Sequence, residues 1–401
     1  MMHGNGAWDD RELHKPIVPP GLGFITCITS LHRDKKKPND TTAATYSTMA
    51  TNQVTRWVTN QDGIENLTKE TIPMPTPAKG EVLVKISAVS LNYRDTEVVN
   101  GLYNYYDKPG TPKKPLVPVS DMCGTVVSVG DDNSPWKVGD RVVSTFLQSH
   151  LTGQVYPDHL ATGLGKPLDG CLQGYRVFGS EGLVRAPGYL TDEEASCLPI
   201  AGVTAWMAIH GMGVRKGEGE TVLLQGTGGV SVAGLQIARA GGMKTIITSS
   251  SDEKLEKAKA LGADYVINYR TSPDWEREVM KITGDKGVDV ILETGGAGTL
   301  YKSLDCVAFG GLISCIGYVS GREDKAGEAR VNLNLLALRR TVTLKGIING
   351  PRDRFEEMCR FYEKHQIRPV VDRVFGFEEA AEAMKYLAGG SHFGKVVVRV
   401  E

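Results

Sequence analysis

Residues 221–261 read TVLLQGTGGVSVAGLQIARAGGMKTIITSSSDEKLEKAKAL, and this stretch decides the fold. It opens with a short apolar run, Thr221 to Gln225, of the length and composition of a buried strand. Gly226, Thr227, Gly228, Gly229 and Val230 follow, and from Ser231 the apolar spacing becomes helical before a second apolar run ends at Thr248. Gly226 allows the tight turn that leaves the strand. Gly228 lets the backbone approach a pyrophosphate, whose charge then meets the unpaired amides at the helix N-terminus. Ser231 stands where the dinucleotide fingerprint has its third Gly or Ala, and a small hydroxyl still fits there. A strand before the glycines and a helix after them separate such a loop from a glycine turn without a ligand. A dinucleotide site lined by Gly226, Thr227, Gly228, Gly229 and Val230 is expected.

The adenosine end is read from the next strand. It ends in Thr248, Ser249 and Ser250, roughly twenty residues on, with no Asp or Glu to take both ribose hydroxyls. An acid there selects NAD and repels a 2′-phosphate, whereas small hydroxyl residues with cations nearby accommodate it. Lys254 opens the next helix, and Tyr269 and Arg270 close the third strand. Taken singly, Lys254 and Arg270 read as solvated surface cations; the missing acid gives them weight. The expected cofactor is NADP(H), with Thr248, Ser249, Lys254 and Tyr269 around the adenosine phosphate.

Outward from this unit, YVIN, VDVILET, GLISCIG and TVTLKGI are further short strand runs, alternating with helical stretches such as DEKLEKAKALG and AGTLYKSLDCVA. That alternation predicts an α/β domain with a doubly wound parallel Rossmann sheet over 201–345. Before it, RWVTN, EVLVKISAVSLN, CGTVVSVG and GDRVVSTF alternate apolar and polar positions between Gly, Pro and Asp turns, a barrel-like β domain over 51–200. The Gly139-Asp140 turn reads as structural, with Arg141 bracing it. The segment 346–401 carries the helices RDRFEEMCRFYEKH and EEAAEAMKYLAGG and a closing strand GKVVVRV, and is expected to return to the β domain. Residues 1–50 mix Gly, Pro, charge and small polar residues without period and read as a disordered leader. A mitochondrial transit peptide is the alternative, disfavoured by Asp9, Asp10, Glu12, Asp34 and Asp40.

Composition excludes several partners. A net charge of −1 on 401 residues gives no general attraction for nucleic acid or anionic lipid. No apolar run reaches the length of a membrane-spanning helix, so no membrane is expected. Seven cysteines are scattered singly, which fits a reducing, cytoplasmic location better than a disulfide framework.

The chain resembles the medium-chain dehydrogenase/reductase superfamily, and within it the zinc-independent quinone oxidoreductase-like (alcohol dehydrogenase-like) branch. The resemblance rests on Ser90-Leu91-Asn92-Tyr93-Arg94-Asp95, Pro118-Val119-Ser120-Asp121-Met122-Cys123-Gly124, Gly139-Asp140-Arg141-Val142, Gly202-Val203-Thr204-Ala205-Trp206, the glycine loop, and Gly394-Lys395-Val396-Val397. These occur in family order from about Thr55 to the end. The resemblance implies a GroES-like barrel built from both chain ends, a cleft between it and the Rossmann domain, and a homodimer. It also implies a metal question, because the alcohol dehydrogenases of this superfamily hold zinc with Cys, His and Cys. The three positions fall on Asn92, Ser120 and about Ile200, and the four cysteines of the structural zinc lobe are missing. Asn and Ser are feeble zinc ligands and Ile is none, so no metal is expected. Cys197 and His210 read as packing residues rather than substitutes.

Without a Lewis acid the substrate must already be electrophilic, as quinones, enones and enals are. The expected reaction is hydride transfer from the nicotinamide to such a small molecule, with the developing oxyanion stabilised by oriented donors. By resemblance, Tyr93 is the leading donor, and Asn92 orients the substrate oxygen or the nicotinamide ribose. Arg94 either donates to an anion or pairs with Asp95 or Asp121. Thr204, Gly317 and Tyr318 meet the nicotinamide end, and Lys395 reaches the cofactor. Two further readings stay open: an NADP-dependent alcohol dehydrogenase or tailoring enoyl reductase, and a low-turnover NADPH-binding protein.

Overall fold

The computed structural model describes residues 52–104, 112–211, 219–323 and 331–400. The proposed leader lies outside them. Fifteen strands are named in chain order: β1 (Gln53–Val58), β2 (Thr68–Pro73), β3 (Glu81–Leu91), β4 (Asp121–Val129), β5 (Arg141–Ser144), β6 (Tyr175–Gly179), β7 (Leu183–Arg185), β8 (Thr221–Leu224), β9 (Lys244–Ser249), β10 (Tyr265–Asn268), β11 (Val288–Glu293), β12 (Val307–Cys315), β13 (Thr343–Gly346), β14 (Val371–Gly376) and β15 (Lys395–Arg399).

The later strands form a six-stranded sheet in the order β10-β9-β8-β11-β12-β13, with every pairing parallel. Numbered within the domain, this is the doubly wound order 3-2-1-4-5-6, whose switch point lies between β8 and β11. Period-two alternation explains why both faces are covered. Val222 and Leu224 pack with Ile247, Val290 and Leu292 under the helices Val203–His210, Gly229–Ala240 and Arg352–His365. Leu223 points the other way, with Ile246, Ile291 and Ile313, under the helices Trp275–Ile282 and Leu300–Cys306. Gly234 permits the close seat of the first group, since a Cβ there would lie 2.8 Å from both Leu224 Cδ2 and Leu292 Cδ2.

The other large sheet runs β14-β15-β3-β4-β5-β7, with β6 also paired to β3, so strands from both ends of the chain share one barrel. Its core is Val82, Val84, Ile86, Val89 and Leu91 of β3 with Met122, Val126, Val396 and Val398. The helix Ala380–Ala388 covers one side. One expectation is corrected here. Arg141 does not brace its own turn: its guanidinium reaches Asp192 and the Leu190 carbonyl (2.9 Å), while Asp140 pairs with Arg185 (2.9 Å) across the adjacent strands. Arg141 opens β5, so its side chain leaves the turn it follows.

Candidate active site

The C-terminal ends of β8, β9, β11 and β12 converge on the glycine loop. Gly226 has φ +75, the left-handed region that a turn out of β8 requires and Gly tolerates at no steric cost. Gly228 is extended (φ −80, ψ −178) and precedes the helix Gly229–Ala240. A Cβ built on it would meet nothing nearer than His392 Nε2 at 4.0 Å, so the backbone faces an open cradle at a helix N-terminus. Ser231 is buried and donates to the Gln225 carbonyl at 2.6 Å, which satisfies its hydroxyl where the fingerprint has Gly or Ala. Thr248 Oγ1 accepts from the Gly226 amide (3.3 Å), and Thr227 and Ser249 exchange a hydroxyl contact at 3.4 Å. No carboxylate ends β9. These residues fit a dinucleotide.

Lys254 and Tyr269 flank that end. The Lys254 ammonium donates to the Gly390 carbonyl at 2.7 Å, tying it to the C-terminal segment, and the half-exposed Tyr269 donates its amide to the Ser249 carbonyl at 3.1 Å. His392, which sequence reasoning missed, stands beside the cradle. Burial, helped by Lys254 and then Lys395, pushes its imidazole down to about 4, so it is neutral at physiological pH. Its Nδ1 is buried without a hydrogen-bond partner. The C-terminal chain is stitched to the loop by the Gly394 amide, which donates to the Thr227 carbonyl at 3.0 Å.

On the barrel side, β3 ends at Leu91 and Asn92 caps the helix Tyr93–Val99. Its backbone amide donates to Asp95 Oδ2 at 2.8 Å. The Asn92 Oδ1 accepts from Lys395 Nζ at 2.6 Å. Ser120 Oγ donates to Asp121 Oδ1 (2.6 Å), and the Ile200 amide donates to Asp121 Oδ2 (3.1 Å). Thus Asn92, Ser120 and Ile200 come together, but around Asp121 and Lys395. Both aspartates are fully buried. Burial raises Asp95 to about 6, against the opposing field of Arg94, and raises Asp121, against the field of Lys395.

Arg94 pairs with Asp95 at 3.2 Å, donates to the carbonyls of Leu164 and Lys166, and lies over the rings of Tyr103 and Phe146. Tyr93 is 47% exposed, its ring edge-on to Tyr318 at 6.4 Å between centroids. The Tyr318 phenol donates to buried Glu97 at 2.5 Å, and Arg322 joins the same carboxylate, a bridge between the two domains. Thr204 is buried and accepts from Asn349 Nδ2 at 3.3 Å, an amide that also reaches the Pro199 carbonyl. The Gly317 amide donates to the Glu293 carbonyl at 3.2 Å. Glu293 itself is buried at the end of β11, accepting from Gln225 Nε2 (2.7 Å), the amides of Gly295 and Gly296 (3.0 Å each) and Ser303. An acid closing an apolar run before Gly-Gly was a readable signal for this anchor; Glu97 gave none, because its partners lie more than two hundred residues away. Cys197 donates to the Glu193 carbonyl, and His210 packs on Trp206 at 4.4 Å, so the two do not meet.

The alcohol dehydrogenase GroES-like domain matches residues 78–188, and the zinc-binding dehydrogenase family matches residues 229–364. A zinc-type alcohol dehydrogenase-like protein of Schizosaccharomyces pombe is 40% identical over 84% of this chain and 96% of its own length. A chloroplastic quinone-oxidoreductase of Triphysaria versicolor is 30% identical over 84% and 94%. Among solved structures, an NAD-dependent alcohol dehydrogenase aligns with a TM-score of 0.75 at 31% identity, covering 87% of this chain and 100% of that one. A mycobacterial protein in complex with NADPH aligns at 0.70 and 25% identity, covering 86% and 100%. The chain belongs to the medium-chain dehydrogenase/reductase superfamily. It is an oxidoreductase of that superfamily, with a nicotinamide cofactor site in a Rossmann domain beside a GroES-like barrel.

Proposed function

We propose that this protein is an NADPH-dependent, zinc-independent reductase of activated carbonyls or conjugated alkenes such as quinones, enones and enals. The observation that carries the reading is the Lys395 ammonium on Asn92 Oδ1. Where the superfamily's zinc would take its first ligand, this chain places a buried cation, and a second cation beside it is repelled. Ile200 offers no donor atom, and Ser120 spends its proton on Asp121. These residues do not fit a catalytic zinc.

NADPH, when bound, supplies the hydride. The chain holds its pyrophosphate at the Gly228 cradle, and the hydroxyls of Thr248 and Ser249 leave room for a 2′-phosphate where an acid would repel it. Thr204 and the turn at Gly317 and Tyr318 bound the nicotinamide end. On the substrate side, Tyr93 and Asn92 are the hydrogen-bond donors at the cleft, and they stabilise the oxygen on which charge develops. Tyr93 or water then supplies the proton that completes the reduction. The relative named a quinone-oxidoreductase supports this acceptor class, and the NADPH complex supports the cofactor choice.

A homodimer is part of the proposal. β13 is an edge strand of the Rossmann sheet, and Phe309, Leu335, Leu338 and Leu344 are exposed on and around it, Phe309 by 75%. Such an apolar edge calls for a partner. Six cysteines of the described residues are free, which supports a reducing compartment, and no helix among those residues is long and apolar enough to cross a membrane.

The test follows absorbance of NADPH and NADH with chelator-treated protein and a quinone, an enal and a simple ketone. Fast NADPH oxidation with the quinone or enal is expected. Activity confined to the ketone, lost on chelation and restored by zinc, overturns the proposal.

A further inference from the structure

The C-terminal strand begins with Lys395, and its side chain runs under the glycine loop: a Cβ at Gly229 would lie 2.6 Å from Lys395 Cδ. The residue is 4% exposed, and its ammonium donates to the Leu91 carbonyl and to Asn92 Oδ1, each at 2.6 Å. A buried ammonium needs both acceptors and counter-charge. The counter-charge is at hand in buried Asp121 and Asp95, both of which feel the Lys395 field.

Asn92 is the unusual partner. An asparagine at a helix N-cap ordinarily turns its oxygen to the first helical amides. Here the Asn92 oxygen accepts from Lys395 at 2.6 Å, and the helix start is closed by the Asn92 amide donating to Asp95 Oδ2 at 2.8 Å. Fixing the oxygen fixes the rotation of the whole carboxamide, so the NH2 is presented on the other side. That NH2 is buried and makes no hydrogen bond of good geometry; it faces Asp121, whose ionised form it favours, on the side where Ser120 and Ile200 also meet that carboxylate. A buried N–H without an acceptor is unfavourable in the free protein and favourable once an acceptor arrives. Its neighbour Tyr93 is half exposed against Tyr318 of the other domain, so the amide sits at the junction of the two domains.

We propose that Lys395 is a positioning residue: its ammonium locks the Asn92 carboxamide with the NH2 directed at the reacting oxygen of the acceptor. The proposal rests on the zinc-independent reading of the site. It assigns Lys395 to the substrate side of the cleft, whereas the resemblance alone assigned it to the cofactor. As charge builds on the acceptor oxygen, the amide bond to it strengthens, and the ammonium behind it reinforces the same polarity.

Steady-state kinetics with NADPH and a quinone or enal, beside NADPH binding read by fluorescence titration, test this on the full chain. Lys395→Met is expected to lower kcat by roughly 10- to 100-fold, somewhat under the loss of a direct oxyanion donor. NADPH Kd is expected to stay within about threefold, because the ammonium is directed at Leu91 and Asn92, and Lys395→Arg to recover part of the rate, because a cation returns. In an Asn92→Ala background, Lys395→Met adds less than about twofold, because the two act as one unit. A rise in NADPH Kd or KM with kcat unchanged returns Lys395 to the cofactor and overturns the proposal, as do independent, multiplying losses. A second readout needs no turnover. Mass-spectrometric acetylation of Lys395 is expected to rise severalfold in Asn92→Ala; unchanged labelling overturns the pairing. If the wild type reduces quinone or enal and Lys395→Met matches it, the positioning role alone fails. If the wild type acts only on the ketone with zinc, the proposed function fails with it.

Discussion

Gly228→Ala separates binding from folding. The residue has φ −80 and ψ −178, which any L-residue adopts, and the added Cβ would find its nearest neighbour, His392 Nε2, at 4.0 Å. Replacing Gly where the conformation is compatible stabilises by about 0.4–1 kcal/mol through the unfolded chain. The folded protein therefore loses nothing. The methyl nevertheless fills the cradle that the pyrophosphate needs. A phosphate pushed outward loses one or two charge-assisted bonds to helix amides at about 1.5–3 kcal/mol each, or roughly 2–5 kcal/mol in all. At 1.4 kcal/mol per tenfold, NADPH Kd rises roughly 30-fold to several-thousand-fold. Fluorescence titration with NADPH measures the first effect and thermal denaturation the second. Gly226→Ala is the contrast: φ +75 makes any side chain cost about 1–2 kcal/mol in stability, although no atom stands within 4 Å to clash. Gly228→Ala binding NADPH within about threefold of wild type at an unchanged melting temperature refutes the cradle.

Ser249→Asp places a carboxylate at the end of β9, and the ratio of kcat/KM for NADPH over NADH is expected to fall on the order of 100-fold, from like-charge repulsion of about 3 kcal/mol. An unchanged ratio means the 2′-phosphate is bound elsewhere. Tyr318→Phe removes a hydrogen bond to buried Glu97, and denaturant unfolding should show a loss of about 1–3 kcal/mol; no loss means the contact between the domains is idle. Asp95 is protonated more readily folded than unfolded, since burial raises it from 3.8 to about 6. Its contribution is complete below the unfolded value and is lost as pH rises through about 6, a decline on the order of 2–3 kcal/mol that stability measurements from pH 4 to 7 should resolve and Asp95→Asn should flatten. A wild-type profile that rises instead through that window, with no change in slope in the variant, contradicts the assignment.

Much of the cofactor half was legible because its determinants are local. A strand, a glycine turn and a helix are adjacent in sequence, and period-two runs such as VDVILE state their own burial. The helix Arg352–His365 matches the stretch read from its 3.6-residue period. β6, β7 and β14 were harder to see, because edge and short strands such as VDRVFG carry charge on the exposed face and give a weak pattern. The residues at the cleft were named from resemblance, yet their partners were not. Arg94 had an anion, Asp95 and Asp121 as open choices; the structure pairs it with Asp95 and lays it over the rings of Tyr103 and Phe146.

What the sequence determined by itself is the set of chemical possibilities: a helix N-terminus behind a glycine turn, no acid at Ser249, and no thiolate or imidazole at Asn92, Ser120 or Ile200. The first follows from a local pattern, and the other two are statements of which atoms exist. What only the tertiary structure decided is who meets whom. Lys395 lies 303 residues from Asn92, yet β15 pairs with β3 in antiparallel register, Val396 opposite Leu91, and this carries the ammonium onto the amide. The register of two strands from opposite ends of the chain is fixed by the shared barrel core, and no local pattern encodes it.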